Sequence, residues 1–440
     1  MPSFPRSLAR RASVLWRRYG SRLTQEQIAV ARRRFATGVG AVLVGLAALA
    51  FARAGDGAQH LFAQLTRWSP YAPLLVTPAT FALAIYFTRR WAPQIQGSGI
   101  PQIIAASKDP AAAGANPLVS LRTAVMKFAL TLLGLAGGGS FGREGPTVQI
   151  SAAIMVGVHK LMRVPITPGV LIAGGGAGVA AAFNTPLAGV AFAIEELAAA
   201  YEQRIAILVM GAVMIAGLVS LGIAGDYVYF GVMRDTLDLT AALTIAPLMG
   251  VVGGLLGGVF SRTLLAAAAP KRPLLQRLKR RPILFAAGCG LVVALLGVLT
   301  GGETFGTGYE VSRNLVEGQA ASIWFAPAKL AATIASALSG NAGGIFAPSL
   351  SVGAGIGGLM QGFFPDAPTG AIVVLGMIGY FTGVVRAPFT AVIIVSEATA
   401  SRGMILPLFV AALVADGVSA LVCRQRLYHG LAQQFMPKAS

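Results

Sequence analysis

The chain has 440 residues, of which 55% are hydrophobic and only 12% charged, with 55 glycines and a net charge of +19. Soluble domains carry about 25% charged residues, so this composition excludes an ordinary soluble domain and points to a membrane protein. The positive charge is gathered into a few segments rather than spread over a face, so no nucleic-acid partner is expected and the partner is the lipid bilayer.

Residues 1–37 hold nine arginines and almost no acid. They are read as a basic cytoplasmic helix at the membrane surface; an organelle transit peptide has the same composition but would bring a cleavage signal, and none follows. Apolar stretches then recur at 38–52, 72–87, 124–136, 205–224, 242–259, 283–299 and 404–422. A span needs about 20 apolar residues, and several of these are shorter or broken by Gly and Pro. Lipid tolerates helices that stop partway only where their ends face protein or water. The fold class is therefore an all-α polytopic membrane protein with interrupted helices.

Charge sets the expected orientation. The segment 225–239 holds Asp226, Asp235 and Asp238 against one arginine, whereas "KRPLLQRLKRR" at 271–281 holds six Lys/Arg. By the positive-inside rule 225–239 faces out, while 271–281 and the basic tail 424–440 face the cytoplasm with the N-terminus. Cys289 and Cys423 lie in separate apolar stretches, so neither a disulfide framework nor a metal site can be read from them, and no metal or cofactor is expected.

The chain is written twice. A shift of 202 carries Lys127 to Lys329, Thr131 to Thr333, Gly138 to Gly340, Gly142 to Gly344, Pro146 to Pro348, Pro186 to Pro388 and Glu195 to Glu397. "GSGI" at 97–100 matches "GTGY" at 306–309 with a shift of 209. The halves are 38–224 and 240–423, joined by 225–239 and followed by a C-terminal helix in 424–440. With both basic segments inside and 225–239 outside, the first half crosses an odd number of times and the second runs inverted. Inverted repeats with broken helices that meet near the midplane are the usual architecture for moving solutes through a bilayer.

Three glycine-proline breaks interrupt the apolar sequence: "GSGIPQ" (97–102), "GREGP" (142–146) and "GGIFAP" (343–348). Each precedes a helical stretch, and proline suits a first helical turn because its missing N–H has no partner there anyway. The free amides and positive dipole end of such starts favour an anion. Ser98 adds a hydroxyl between Gly97 and Gly99. Partial charges of this kind replace a hydration shell without trapping the ion as a buried cation would.

Glu144 stands where those amides would cradle an anion, so its carboxylate competes for the same place. The helix start favours its charged form and burial its neutral form, which makes it a candidate pH-dependent gate. The alternative, a structural ion pair with Arg143, is disfavoured because sequence neighbours rarely share a helix face.

"GSGIP", "GREGP" and "GGIFAP", in this order and spacing, resemble the three anion-site segments of the CLC family of chloride channels and proton/chloride antiporters. The likeness runs from about residue 38 to 435. It implies a homodimer of helical subunits, each with an inverted repeat and its own pore, in the bacterial inner membrane. It also implies that Ser98, the amides of Ile345 and Phe346, and the Tyr428 hydroxyl contact the central anion, with Glu144 as outer gate. Glu196, with Glu195 beside it, resembles the glutamate that receives protons from the cytoplasm in the antiporters; two acids at a helix end also fit a solvated face. Arg143 and Lys127 match basic residues that tune the field along the path. Gln102 and Ile104 replace acids common after "GSGIP".

The resemblance therefore implies a chloride/proton exchanger, with a passive chloride channel as the alternative. Serine at 98 fits chloride-type members better than nitrate- or fluoride-selective ones. An intramembrane enzyme lacks support: there is no HExxH, and His60, His159 and His429 are scattered. His159 and His429 are read as cytoplasmic-side surface residues.

Overall fold

The computed structural model describes residues 25–109, 116–198, 203–225, 228–233, 235–269 and 273–436. Most of the basic N-terminal segment, Asp226 and the first two residues of the 271–281 loop lie outside the described residues. Among those described, the secondary structure is helical, with two isolated β-bridges and no strand.

The first half contains α1 (Gln25–Trp68), α2 (Pro73–Trp91), α3 (Ile100–Ser107), α4 (Leu121–Ala136), α5 (Glu144–Leu161), α6 (Pro168–Phe183), α7 (Pro186–Phe192) and α8 (Gln203–Ala224). The second contains α9 (Leu239–Ala268), α10 (Pro273–Arg280), α11 (Pro282–Leu299), α12 (Tyr309–Val316) and α13 (Phe325–Leu338). It continues with α14 (Phe346–Met360), α15 (Thr369–Val385), α16 (Pro388–Ala398), α17 (Ile405–Val422) and α18 (Leu427–Ala432).

Among the described residues, five helices are long and apolar enough to cross a membrane: Gln27–Trp68, Ala206–Ala224, Leu239–Ala268, Pro282–Leu299 and Ile405–Val422. The boundary drawn at residue 38 from charge is not a structural break. α1 runs through it for 44 residues without a proline, about 66 Å at the helical rise. α4, with 16 residues, reaches only about 24 Å and stops inside the protein.

Local chemistry sets the helix starts. Proline occupies the first turn of α2, α3, α6, α7, α11 and α16, and Ser120 caps α4 by accepting from the Thr123 amide at 3.2 Å. The innermost helices are lined by small residues. A side chain on Gly257 of α9 would stand 2.4 Å from the Gly383 carbonyl carbon of α15, so glycine is what lets these backbones meet.

The repeat register is visible in the packing. Lys127 is fully buried and donates to the carbonyls of Ile95 (2.7 Å) and Gly97. Lys329 does the same to Thr304 (2.9 Å) and Gly306 (2.8 Å). Asn184 and Arg386 close α6 and α15 in the left-handed region at φ 57° and 59°. Gly142 and Gly344 exchange two reciprocal backbone hydrogen bonds, each 2.7 Å. Because these two residues are equivalent in the repeat, the internal two-fold axis passes between them.

Candidate functional site

Three of the broken helices start around this bridge. Gly97 and Gly99 adopt φ +70° and +108°, and a side chain at Gly99 would meet the Gly145 carbonyl at 2.8 Å. The turn is held by donors: Asn341 accepts from the Gly97 amide and the Gly343 amide donates to Gly97, both at 3.2 Å. Lys127 and Gln102 take further carbonyls, Gln102 Nε2 reaching Gln96 at 2.7 Å and Gln94 at 3.2 Å. Lys127 is thus spent on backbone, and the turn presents Ser98 to a cavity instead of its carbonyls.

That cavity, about 160 Å³, is lined by Ser98, Pro101, Lys279, Gly343, Ile345 and Tyr428 among others. The Ser98 and Tyr428 hydroxyl oxygens are buried without a hydrogen-bond partner. Ile345 caps α14 and Phe346 begins it, so their amides belong to the unpaired first turn. A side chain at Gly145 would stand 2.3 Å from Ser98 Oγ, which is why the neighbouring break is glycine. Two free hydroxyls and a helix start are a donor set for a small anion.

Glu144 opens α5 and is fully buried. The Tyr309 hydroxyl donates to its Oε1, its own amide and that of Ala347 face the carboxylate, and Oε2 has no hydrogen bond. Arg143 turns away. It pairs with Asp56 at 2.6 Å, donates to the Ala52 carbonyl and the Tyr229 hydroxyl, and lies 5.8 and 5.9 Å from the Tyr229 and Tyr309 ring centres. Beside Tyr309 opens a second cavity of about 450 Å³, lined by Asp56, His60, Glu303, Thr307 and Glu310 among others. α11 separates the Lys279 side from the Gly301 side by 18 residues, about 27 Å, so the cavities open to opposite faces.

Glu195 and Glu196 lie in a π-helical turn, Ala193–Leu197, that continues α7. The wide turn sends them apart. Glu195 accepts from the amides of Phe389 (3.2 Å) and Thr390 (2.7 Å) and from the Thr390 hydroxyl (2.7 Å), which caps α16. Its repeat equivalent Glu397 accepts from the Ala188 amide at 3.1 Å and caps α7. Glu195, expected beside Glu196 in proton transfer, therefore has its carboxylate occupied. Glu196 is buried instead, with His429 Nδ1 3.3 Å from its Oε1.

The expectation that His159 is a surface residue is corrected. It is buried, with Nδ1 2.9 Å from the Met155 carbonyl and Nε2 3.4 Å from the Thr37 hydroxyl, because Thr37 of α1 packs over its helix face. Asp56, Tyr229, Tyr309, Lys279 and His429 are site neighbours that sequence reasoning missed. Tyr309 alone carried a signal, as the last residue of the "GTGY" repeat match. Among the described residues no cluster of three or more His, Cys, Asp or Glu is placed to hold a metal.

The family model described as voltage gated chloride channel matches residues 80–420. Among solved structures, a slow cyanobacterial Cl⁻/H⁺ antiporter is similar at 24% identity and TM-score 0.79, covering 92% of this chain and 98% of that one. A CLC-type fluoride/proton antiporter matches at 21% identity and TM-score 0.78, over 93% of this chain and 99% of that one. A eukaryotic CLC transporter matches at 21% identity and TM-score 0.73, over 92% of this chain and 74% of that one. At these identities the likeness speaks for the fold.

Proposed function

Since the chain belongs to the voltage gated chloride channel family, we propose that it exchanges chloride for protons across the bilayer. One observation carries the reading: two buried carboxylates, Glu144 and Glu196, accompany the buried hydroxyls of Ser98 and Tyr428, which face each other and have no other partner. The Tyr428 hydroxyl lies within electrostatic reach of both. A pore that only conducted anions would have no use for a second buried acid.

In this reading chloride is held by the Ser98 and Tyr428 hydroxyls and the amides of Ile345 and Phe346, with Gly97 and Gly99 shaping the turn. Ionised Glu144 takes the anion's place before the starts of α5 and α14. Protonated, it loses its charge and yields to chloride. Glu196 collects protons on the other side, and Glu195 positions it by fastening the π turn to α16. Arg143 and Lys127 shape the field and the backbone without touching the anion. Both termini lie in the cytoplasm of a bacterial inner membrane, two subunits associate with one pore each, and no cofactor takes part.

The test is a proteoliposome assay with a chloride gradient and no proton gradient. Uphill proton movement is expected. Chloride flux without protons would make the protein a passive channel. Replacing chloride by fluoride in the same assay should abolish most of the coupled flux, and equal coupling would move the assignment to the fluoride branch.

A further inference from the structure

We propose that His429 relays protons between the cytoplasmic solution and Glu196. The inference rests on the exchanger reading and names the outermost group of its inner proton path. Its Nδ1 stands 3.3 Å from Glu196 Oε1; the Glu196 side chain has no exposure, whereas 42% of the His429 side chain is exposed. The imidazole therefore joins a carboxylate that water does not reach to a surface that water does.

The surroundings leave this ring as the proton carrier. Neither Glu196 oxygen has an aligned hydrogen bond, and His429 Nδ1, the near group at 3.3 Å, is likewise unpaired, so a small turn of the ring aligns the two for proton transfer. Glu195 is occupied as the cap of α16. Arg426, Glu195 and the Tyr428 hydroxyl act on Glu196 through its charge. On the helices packed against α18, Lys108 beyond α3 reaches Met436 Sδ at 3.8 Å, and Arg386 closing α15 pairs with Asp416 at 3.0 Å. Arg262 of α9 is exposed. Of these groups the imidazole alone offers two nitrogens that can each hold or release a proton, one of them beside Glu196.

The step balances simply. Solvent protonates the exposed ring to imidazolium. The Nδ1–H bond then breaks as an O–H bond forms on Glu196 Oε1, and a neutral imidazole remains with its proton on Nε2. Because Nδ1 is itself buried, the ring turns out to water to regain its Nδ1 proton for the next cycle. Running the steps backwards returns protons to the cytoplasm.

The experiment measures proton and chloride flux together in proteoliposomes of the full chain, from about pH 5 to about pH 8. Wild type, His429→Ala, His429→Gln and Glu196→Gln are compared. Wild type should move protons against their gradient across this range. Both His429 variants should move at least about tenfold fewer protons per chloride, as expected for loss of a positioned acid–base group. Added imidazole should restore proton flux in His429→Ala but not in Glu196→Gln. Unchanged coupling in both His429 variants would overturn the relay while leaving the exchanger intact. Equal loss without imidazole rescue would overturn it too, by assigning His429 a packing role. Chloride flux without protons in wild type would remove the exchanger and the relay together.

Discussion

The cavity at Ser98 and the cavity at Thr307 occupy matching places in the two halves, with Gly340 lining one and its equivalent Gly138 the other. Their backbones agree down to the buried lysine that grips each turn. Their side chains do not. The Ser98 hydroxyl has no partner, whereas Gln59 Oε1 accepts from both the amide and the hydroxyl of Thr307 at 3.0 Å. Position 144 is a glutamate and position 346, its equivalent, a phenylalanine packed on Phe381 with ring centres 5.0 Å apart. Lys279 lines the first cavity, while Asp56, Glu303 and Glu310 line the second. A symmetric backbone supplies helix starts on both sides, and the side chains make the surroundings of the two differ.

The substitution that should break this contrast most completely is Glu144→Ala, which removes the charged member of the 144/346 pair. Wild-type chloride flux should rise in acid; the variant's flux should be about equal at low and neutral pH, since no carboxylate remains to be neutralised. A persistent acid response in flux assays would take Glu144 out of the gate. Next in size is the hydroxyl pair. Ser98→Ala should weaken chloride binding about fivefold in calorimetry, the worth of one hydrogen bond of about 1 kcal/mol. Thr307→Ala should leave that affinity within about twofold, its hydroxyl being engaged elsewhere. Equal effects at both positions would mean that the anion does not distinguish the cavities.

The smallest expected effect is at Lys279. Lys279→Ala should lower chloride uptake from its own face about twofold at low salt, and not at all well above 0.15 M or so, where screening removes the attraction. Burial lowers the Lys279 pKa below the usual lysine range. Its charge is therefore present in acid and is lost as pH rises through that lowered value, earlier than for an exposed lysine. The gap between wild type and variant should close in alkali; a gap that widens would sink the assignment.

The repeat was readable because its markers are chemically distinctive. Lys127 and Lys329, Pro146 and Pro348, and Glu195 and Glu397 keep one register in a chain otherwise rich in Ala and Gly. The three helix starts were readable because proline and glycine act locally. Partner choice was not, because it depends on distant packing. Arg143 meets Asp56, Tyr309 meets Glu144, and Gln59 meets Thr307 across long separations in sequence. His159 was misjudged because nothing near it in sequence announces that Thr37 of α1 covers it. A change from charged to apolar sequence does not stop a proline-free helix, so α1 runs on through residue 38.

The exchanged glutamate caps bear on how the molecule is made. The amide of Ala188 finds its acceptor on Glu397, which leaves the ribosome some two hundred residues later. Until then the start of α7 must be served by water or lipid headgroups. The start of α7 is therefore completed only once the second half has emerged, and a chain truncated before residue 397 would lack its acceptor.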